Sequence, residues 1–447
     1  MSQYMNRHTI PRASIALAML FAANTSAQSK SGVASEVLAA YPRSEALYLD
    51  LHQHPELSFH EVETAAKLAN ELRQLGYEVT TGVGRTGIVG VMKNGPGPTV
   101  MLRTELDALP VTENTGLPFA STVRTKDDAG LEVGVAHACG HDIHMAAWMG
   151  TARIMAGDRA RWRGTLVLIG QPAEELVSGA KAMIADGLLT RFPRPDFAIA
   201  VHDDARMPAG IVGYHAGPIL TNADALNIRI FGRGGHGARP EATVDPIVIA
   251  ARTVLALQTI VSREVSPFDP AVITVGSIHG GTKHNIIPDE VLLQLSVRSF
   301  TQPVRQHLLS AIDRITKAEA AAAGAPREPL IERVQATQAL VNDSALTRRV
   351  SAVLIREFGP ARTKDVPPEM ASEDFAEFQL AGVPTLMLRI GAVEQARYDA
   401  AMKSGTPLPS LHSSQFAPDR EPTIKAAMIT EVLALRELMP TGSAPGK

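Results

Sequence analysis

The chain has 447 residues, a formal net charge of −3, and 45% hydrophobic and 20% charged residues. This composition is typical of an ordinary globular protein, and no basic stripe with interleaved aromatic residues indicates a nucleic-acid-binding protein. Because single hydrophobic cores stop growing near about 250–300 residues, we expect two domains.

The first 27 residues differ from the rest of the chain. Arg7 and Arg12 precede an apolar run at residues 13–23, and small residues flank a possible cleavage site after Ala27. This pattern is typical of a secretory signal peptide, and the run is too short to span a bilayer. A buried or disordered N-terminal helix is the alternative. We expect a periplasmic or secreted protein, and no membrane in its mature form because no later stretch is long enough to cross one.

Strands and helices alternate in the first half of the chain. Apolar residues recur at helical spacing in residues 60–75, and short β-rich runs follow. This alternation predicts an α/β fold with a mixed, mostly parallel sheet covered by helices. The predicted elements are a helix at 60–75, strands at 86–92 and 99–102, a helix at 145–156, a strand at 164–170, a helix at 178–185 and a strand at 196–202.

The pattern changes near residue 219, where the order β-α-β-β-α predicts a compact, ferredoxin-like α+β unit. A buried strand at 383–391 and a closing helix at 423–438 then return to the first pattern. We therefore predict a catalytic domain interrupted by an inserted one. The predicted boundaries are 1–27 for the signal peptide, 28–218 and 331–447 for the catalytic domain, and 219–330 for the inserted domain.

The only cysteine, Cys139, lies in the segment AHACGHDIHM. A lone thiol is most often a small, buried core residue. In an extended segment, however, Cys139 and His141 project to the same side, and Gly140 between them allows close backbone approach. Zinc and similar ions accept such sulfur and nitrogen ligands. The segment alone leaves both interpretations open.

Two adjacent acids, Glu174 and Glu175, follow a predicted strand in the segment GQPAEEL. One carboxylate could bind a metal while its neighbour faces a water as a general base, whereas the alternative is a solvated pair at a helix start. His202 ends a predicted strand, where open α/β sheets bind ligands, and His412 lies in a polar loop. The common location of these residues at strand ends of one predicted sheet favours a shared site.

Ordered motifs along the chain carry a resemblance to a known family. The chain resembles the amidohydrolase branch of the aminoacylase/carboxypeptidase metallopeptidases, which includes hippurate hydrolases and plant auxin–amino acid conjugate hydrolases. The resemblance implies a phosphorylase/hydrolase-like, di-metal exopeptidase fold with an inserted lid and dimerisation domain. The matching motifs are LRTELDALP (102–110), HACGHDIH (137–144), GQPAEE (170–175), GRGGHGARP (232–240), NIIPD (285–289), SEDF (372–375) and LHSSQF (411–416).

The resemblance also implies two divalent metal ions per subunit, which could be zinc, manganese, cobalt or nickel. Cys139 would bridge them as a thiolate, in the place of an aspartate in other branches. His141 and His202 would hold one ion, and Glu175 and His412 the other. Two such ions can polarise an amide carbonyl and activate a shared water.

Further roles follow from the same resemblance. Glu174 would be the general base, His236 would stabilise the oxyanion, and Asp107 would orient a ligand histidine. Asn285 and Arg298 would bind the free carboxylate of the substrate. A mobile loop residue is the alternative for His236, and an ion pair within its strand is the alternative for Arg298.

The implied activity is hydrolysis of the amide bond of an N-acyl or N-aroyl amino acid by a homodimer that associates through the lid domain. A dipeptidase or carboxypeptidase of the same mechanism is one alternative, and a binding protein without turnover is another. The chain departs from the branch at Glu105, which replaces an aspartate, and at Asp203 and Asp204. These two acids could repel anionic substrates or mark a changed specificity.

Overall fold

A computed structural model of the protein describes residues 32–442, so the predicted signal peptide lies outside the described residues. The helices cover most of the residues predicted to be helical, and five further helices among the described residues, α1, α5, α8, α9 and α10, are not predicted from the sequence. The helices are α1 (Val33–Gln53), α2 (Val62–Gln74), α3 (His141–Gly157), α4 (Gly179–Ala185), α5 (Leu188–Arg191), α6 (Pro246–Thr259), α7 (Gln302–Ala322), α8 (Ser344–Phe358), α9 (Ala376–Leu380), α10 (Gln395–Ser404) and α11 (Arg420–Leu438).

The strands form one large and one small sheet, with three additional two-stranded pairs. They are β1 (Glu78–Val83), β2 (Gly87–Asn94), β3 (Thr99–Glu105), β4 (Arg124–Lys126), β5 (Glu132–Gly134), β6 (Gly164–Gln171), β7 (Phe197–Pro208), β8 (Val212–Tyr214), β9 (Gly217–Leu220), β10 (Asn222–Phe231), β11 (Gly235–His236), β12 (Ala271–His279), β13 (Ile286–Ile287), β14 (Glu290–Ser299), β15 (Leu330–Thr337), β16 (Leu340–Asn342), β17 (Thr363–Asp365) and β18 (Thr385–Val393).

The large sheet has eight strands in the order β1-β2-β6-β3-β7-β18-β8-β17. Its central pairs, β6 with β3, β3 with β7, and β7 with β18, are parallel. Side chains of β6 alternate between two cores: Leu166 and Leu168 pack in the core that includes α1, α3 and α11, and Val167 and Ile169 pack in the core that includes α4 and α9. Helices therefore cover both faces, and the predicted mixed, mostly parallel α/β fold is confirmed.

The small sheet has four antiparallel strands in the order β12-β14-β10-β15. Helices α6 and α7 bury Ile249 and Ile312 against Ile228 of β10. The β-α-β-β-α-β connectivity with this strand order is the ferredoxin-like arrangement. Strand β15 belongs to this sheet and extends the small domain to Thr337. The sheet and its two helices are called the small domain below, and the rest of the fold is called the large domain.

One helical stretch of the described residues, Pro246–Glu264, is long and apolar enough by length and composition to cross a membrane. The expectation that no such stretch follows the N-terminal run is therefore wrong. The stretch buries Ile249, Leu257 and Ile260 in the core of the small domain. Core helices of globular proteins reach the same length and composition, so this feature alone is weak evidence for a membrane.

Strand β7 is longer than the sequence indicates, since it continues from His202 to Pro208. The continuation pairs with β18, where Arg389 lies opposite His202 and Gly391 opposite Asp204. His202 therefore lies within a strand and not at its end. The pairing fixes its position against β18 and directs its side chain toward the start of α3.

Candidate metal centre

The start of α3 positions Cys139 and His141. Gly140 between them has a φ of 73° and precedes the first helical residue, His141. A β-carbon at this position would lie only 2.4 Å from a carboxylate oxygen of Asp203. Only glycine fits both this φ and this close approach, so the backbone can turn here and direct both the thiol and the imidazole to one point.

Four segments of the large domain bring the predicted ligands together around Cys139. The Cys139 Sγ lies 3.6 Å from the His202 Nε2. The Glu175 Oε1 lies 3.4 Å from the His412 Nε2 and 4.0 Å from the His141 Nε2. The ligand atoms of Cys139, Glu175 and His412 all lie within 4.8 Å of one another. All five predicted metal ligands therefore belong to one cluster.

Two of these ligands sit on unusual loops. The turn after β6 that carries Glu175 contains Ala173 with a φ of 47°, and His412 itself has a φ of 64°. The His412 backbone N–H donates to the Ala138 carbonyl over 2.8 Å, which ties the late loop to the cysteine segment. Positive φ at non-glycine residues costs free energy and persists where the surrounding structure enforces it, which is common at functional sites.

Asp107 holds two of the ligands in place. Its backbone carbonyl accepts a hydrogen bond from the His141 Nδ1 over 2.7 Å. Because a carbonyl can only accept, Nδ1 carries the proton and the Nε2 lone pair faces the cluster. The Asp107 Oδ2 accepts from the Ser58 hydroxyl over 2.6 Å and from the Glu175 backbone N–H over 3.0 Å. This placement matches the orienting role expected of Asp107.

Hydrogen bonds through Asp203 connect His144 to His202 and fix the orientation of the His202 ring. The Nδ1 of His144 donates to the Glu105 carboxylate over 3.0 Å, and its Nε2 accepts from the Asp203 backbone N–H over 2.9 Å. Both ring nitrogens are engaged, so His144 orients its neighbours and is not free to bind an ion. The Asp203 carbonyl accepts from the His202 Nδ1 over 2.8 Å, which leaves the His202 Nε2 lone pair facing Cys139. Glu105, the departure from the branch's aspartate, is thus the acceptor that fixes the His144 ring.

Glu174 lies beside the cluster and borders the cavity in front of it. It is 7% exposed, and one of its carboxylate oxygens lies 3.9 Å from the His141 Nε2. Burial raises the pKa of Glu174 well above its ordinary value, and the nearby charges of Glu373 and Glu175 raise it further. Glu174 therefore has the position and surroundings of a group that exchanges protons.

The guanidinium of Arg103 pairs with a group of buried carboxylates next to Glu174. This fully buried guanidinium donates to the Glu373 carboxylate over 2.6 Å and to the Asp374 carboxylate over 3.2 Å, and it also contacts Glu105. This network was not predicted from the sequence, although Glu373 and Asp374 lie in the SEDF motif and Arg103 is the second residue of the LRTELDALP motif. The available signal was the charge of Arg103 in the direct continuation of the predicted strand at 99–102.

The donor set fits divalent cations. The His141 Nε2 and the Glu175 Oε1 are buried and have no hydrogen-bond partner within residues 32–442. Burial raises the pKa of the Cys139 thiol well above 9.0, and Glu175 and Glu174 raise it further, because negative charges crowd this point. Cations among these groups would favour the thiolate and the carboxylates. A mixed set of sulfur, imidazole and carboxylate donors suits zinc and similar ions.

A cavity of about 520 Å³ opens between the metal cluster and the small domain. Arg298 of β14 lines it from the small-domain side, and its Nη1 donates to the Met370 carbonyl over 2.7 Å. Arg298 forms no ion pair with any residue in the described range, which argues against the alternative that it serves a structural ion pair. Asp224 also lines the cavity, but its carboxylate is held by Arg305 over 2.6 and 2.7 Å. Arg298 therefore offers an unneutralised positive charge to the cavity.

Two predicted site residues lie away from this cavity within the chain. His236 is exposed on β11, which pairs with β13, and Asn285 directly precedes β13. The Asn285 Oδ1 is buried without a hydrogen-bond partner among the described residues. The structure thus brings His236 and Asn285 close to each other but not to Glu174, and their roles stay predictions.

The two acids that follow His202 are both buried, and only Asp204 is paired with an arginine. Asp203 faces His144 and His202, with carboxylate distances of 3.3 and 3.4 Å. Asp204 binds the Arg206 side chain over 2.7 and 3.0 Å. Of the two acids, only Asp204 lines the cavity, and its pairing with Arg206 reduces the repulsion of an anionic substrate there.

Comparison with known proteins agrees with this geometry. Residues 101–403 match Peptidase family M20/M25/M40, which is more than half of the chain. The chain belongs to this family. Thermostable carboxypeptidase 1 of Saccharolobus solfataricus is 36% identical over 86% of this chain and 93% of that protein. Hippurate hydrolase of Campylobacter jejuni is 37% identical over 77% of this chain and 86% of that protein.

A solved M20 structure shows the same architecture. A protein from Bacillus subtilis, described as a dinuclear metal binding peptidase, has a TM-score of 0.72 and 29% identity, with 89% of this chain and 98% of that chain covered. The predicted family, its fold and its hydrolase activity on amide bonds are confirmed. The M20 chain carries a candidate dinuclear metal centre, in which Cys139 is a member of the donor cluster and not an isolated core thiol.

Proposed function

We propose that this M20 hydrolase cleaves the amide bond of N-acyl or N-aroyl amino acids to a carboxylic acid and a free amino acid. The observation that carries the proposal is the position of Glu174, which is buried at the cavity wall with a carboxylate oxygen 3.9 Å from the His141 Nε2. Similarity to a hippurate hydrolase and to an N-acetyl-L-cysteine deacetylase of Bacillus subtilis supports this substrate class.

The residues divide the work as follows. Cys139, His141, Glu175, His202 and His412 would hold two divalent ions, which would polarise the amide carbonyl and make a water acidic. The Glu174 carboxylate, as the general base, takes a proton from the attacking water and passes it to the leaving nitrogen. Because this base is enclosed by protein, bulk water does not compete for the proton.

Arg298 binds the free carboxylate in the amino-acid part of the substrate. It is half-buried, it borders the same cavity as Glu174, and no described carboxylate neutralises it. A guanidinium can bind a carboxylate through two parallel hydrogen bonds, which fixes the orientation of the scissile amide. A substrate without this carboxylate should therefore bind more weakly and react more slowly.

Homodimerisation through the small domain would bring His236 and Asn285 to the cavity of a second subunit. Strand β12 is an edge of its sheet, and Leu255, Val248 and Ile278 of the small domain are 73%, 55% and 53% exposed. Exposed edges and apolar side chains of this kind mark association surfaces. An exposed histidine that lies away from its own cavity is consistent with a role in a partner.

The test of the proposed activity is a hydrolysis screen of N-acyl amino acids, N-aroyl amino acids and dipeptides with added zinc, manganese, cobalt or nickel. The wild type should release amino acids from the acylated substrates, and Glu174→Gln should lose activity by at least about 100-fold while its metal content stays unchanged. Glu132→Gln, at an exposed strand, is the matched control. Release from dipeptides alone would favour the peptidase alternative, which the carboxypeptidase similarity supports. Binding without any turnover would favour the binding-protein alternative.

The proposed dimer has its own test. Glu174→Gln and His236→Ala subunits, each inactive alone, are mixed, unfolded and refolded together. If His236 acts across the interface, half of the hybrid sites are intact and about a quarter of wild-type activity returns. If His236 acts within its own subunit, the hybrid has no intact site and stays inactive.

We also propose that the protein is exported. The support is the charged, apolar and small-residue pattern that ends at Ala27, which lies outside the described residues. N-terminal sequencing of the protein from a fractionated producing cell should find a mature chain that begins at Gln28. A full-length chain in the cytoplasm would contradict export.

A further inference from the structure

Arg389 is a buried positive charge beside the metal cluster. It lies on β18 directly opposite His202 of β7, and both side chains line the cavity. Neighbouring residues of paired strands project to the same face of a sheet, so Arg389 lies next to a metal ligand. Its side chain is 5% exposed within a largely apolar strand. The proposed mechanism does not use it.

The hydrogen-bonding capacity of Arg389 is not satisfied by the protein. A guanidinium carries five N–H donors. Arg389 Nη1 lies 3.1 Å from Glu369 and 3.8 Å from Asp204, and no described residue accepts a well-oriented hydrogen bond from its side chain. Because Arg389 lines the cavity, the N–H donors that the protein leaves without an acceptor are available to an acceptor on a bound ligand.

Acidic side chains offset the positive charge of Arg389. Arg206 contacts Glu369 and binds Asp204 over 2.7 Å. Glu369 and Asp204 therefore balance the charges of Arg389 and Arg206 at this wall, and the carboxylates of Glu373 and Asp203 lie nearby, so no positive charge is in excess there. Arg298, on the opposite wall, is the guanidinium that carries unneutralised charge. The cavity thus matches a substrate with one carboxylate, at Arg298, and an uncharged hydrogen-bond acceptor at Arg389.

We propose that Arg389 is a specificity-determining residue that donates hydrogen bonds to an uncharged oxygen, such as an amide carbonyl, in the acyl part of the substrate. This inference rests on the proposed amidohydrolase function and narrows its substrate class to N-acyl amino acids with a polar, uncharged acyl group. N-acylated dipeptides are the simplest members of this class.

The cavity leaves room for such an acyl group. A second cavity of about 370 Å³ shares Arg206, Ala205 and Ser410 with the first. Its outer wall includes Met402 and Leu408. An acyl chain that places its amide oxygen at Arg389 can therefore extend past Arg206 toward an apolar surface.

The experiment compares three alanine derivatives with acyl groups of similar length: N-acetylglycyl-alanine, which has an amide oxygen, N-pentanoyl-alanine, which has none, and N-succinyl-alanine, which has a carboxylate. The wild type should prefer the acetylglycyl substrate in kcat/KM over both others. Arg389→Leu should lower kcat/KM for this substrate by at least about tenfold and change the pentanoyl substrate by less than about threefold. Arg389→Gln, which keeps donors without charge, should retain part of the preference.

A binding measurement separates this inference from the activity. Calorimetry in the Glu174→Gln background should show the acetylglycyl derivative binding at least about tenfold more tightly than the pentanoyl derivative, and Arg389→Leu should abolish the difference. Arg356→Leu, at an exposed position, is the matched control for substitution and folding. An unchanged ratio in Arg389→Leu, or a wild-type preference for the succinyl derivative, would overturn the inference. If no substrate is hydrolysed, but the acetylglycyl derivative binds more tightly than the pentanoyl derivative and Arg389→Leu abolishes this difference, only the proposed function fails.

Discussion

The buried carboxyl group of Glu431 should make the stability of the protein depend on pH. Glu431 lies on α11, where it is 2% exposed and accepts a hydrogen bond from the Thr151 hydroxyl of α3 over 2.6 Å. Burial raises its pKa from 4.5 to about 8, against smaller opposing effects of Thr151 and His144 and with a small contribution from Glu105. The folded chain therefore holds a proton that the unfolded chain releases between these two values.

The sign and size follow from proton linkage. Between pH 4.5 and pH 8 the folded state binds more protons, so the free energy of unfolding falls as the pH rises. With the two pKa values of Glu431, the decrease between pH 5 and pH 8 is about 3–4 kcal/mol, which is a large part of the stability of an ordinary domain. Glu431→Gln keeps an acceptor for Thr151 but cannot ionise, so it should lack this decrease.

The assay is urea unfolding followed by circular dichroism at pH 5, 6, 7 and 8, with a chelator present so that metal binding does not vary with pH. The difference in unfolding free energy between Glu431→Gln and the wild type should grow steadily in favour of the variant as the pH rises. Glu421→Gln, on the same helix but exposed, should show no such growth. A constant difference between wild type and Glu431→Gln across this range would refute the reasoning.

Three further substitutions test the metal centre. Cys139→Ser should lose metal and activity together, because a hydroxyl is a poor anionic ligand at neutral pH, and full metal occupancy by mass spectrometry would contradict the ligand assignment. Asp107→Ala should weaken metal binding by about 10- to 100-fold in a chelator competition, since Glu175 loses the acceptor that holds its backbone; an unchanged affinity would remove the orienting role. Gly140→Ala should lower thermal stability by more than about 1 kcal/mol, because its β-carbon meets the Asp203 carboxylate at a positive φ. An unchanged melting temperature would show that the turn can relax.

Hydrophobic periodicity was sufficient to predict the α/β architecture and the ferredoxin-like small domain, because long apolar patterns dominate those segments. It was insufficient for α1, where Pro42 lies inside the helix and argues locally against one. The extension of β7 past His202 was also missed, since Asp203 and Asp204 are unfavourable strand residues and the strand is enforced by pairing with β18. Tertiary contacts decided the structure in both segments.

The site residues also divide into those that local sequence indicates and those that only tertiary contacts bring together. The spacing of Cys139 and His141 around a glycine allowed a shared metal-ligand role but left a core thiol as the alternative, and the family resemblance supplied the ligand prediction. The contacts of Arg103 with Glu373, and of His144 with Glu105, join residues from separate segments, and spacing carries no information about such pairs. The sequence marks Arg389 only as a charged residue within an apolar strand, and the structure is needed to show that its side chain lines the substrate cavity.

The donor groups of the metal cluster come from four separate stretches, and the last of them, His412, follows Cys139 by 273 positions (412 − 139) in the sequence. A nascent or truncated chain that lacks the final stretch cannot assemble the complete cluster. If these groups bind metal as proposed, the complete site forms only once the His412 stretch is in place, and bound metal would stabilise the folded chain relative to chains that lack it. Metal occupancy of a purified sample should accordingly serve as a measure of the fraction of correctly folded molecules.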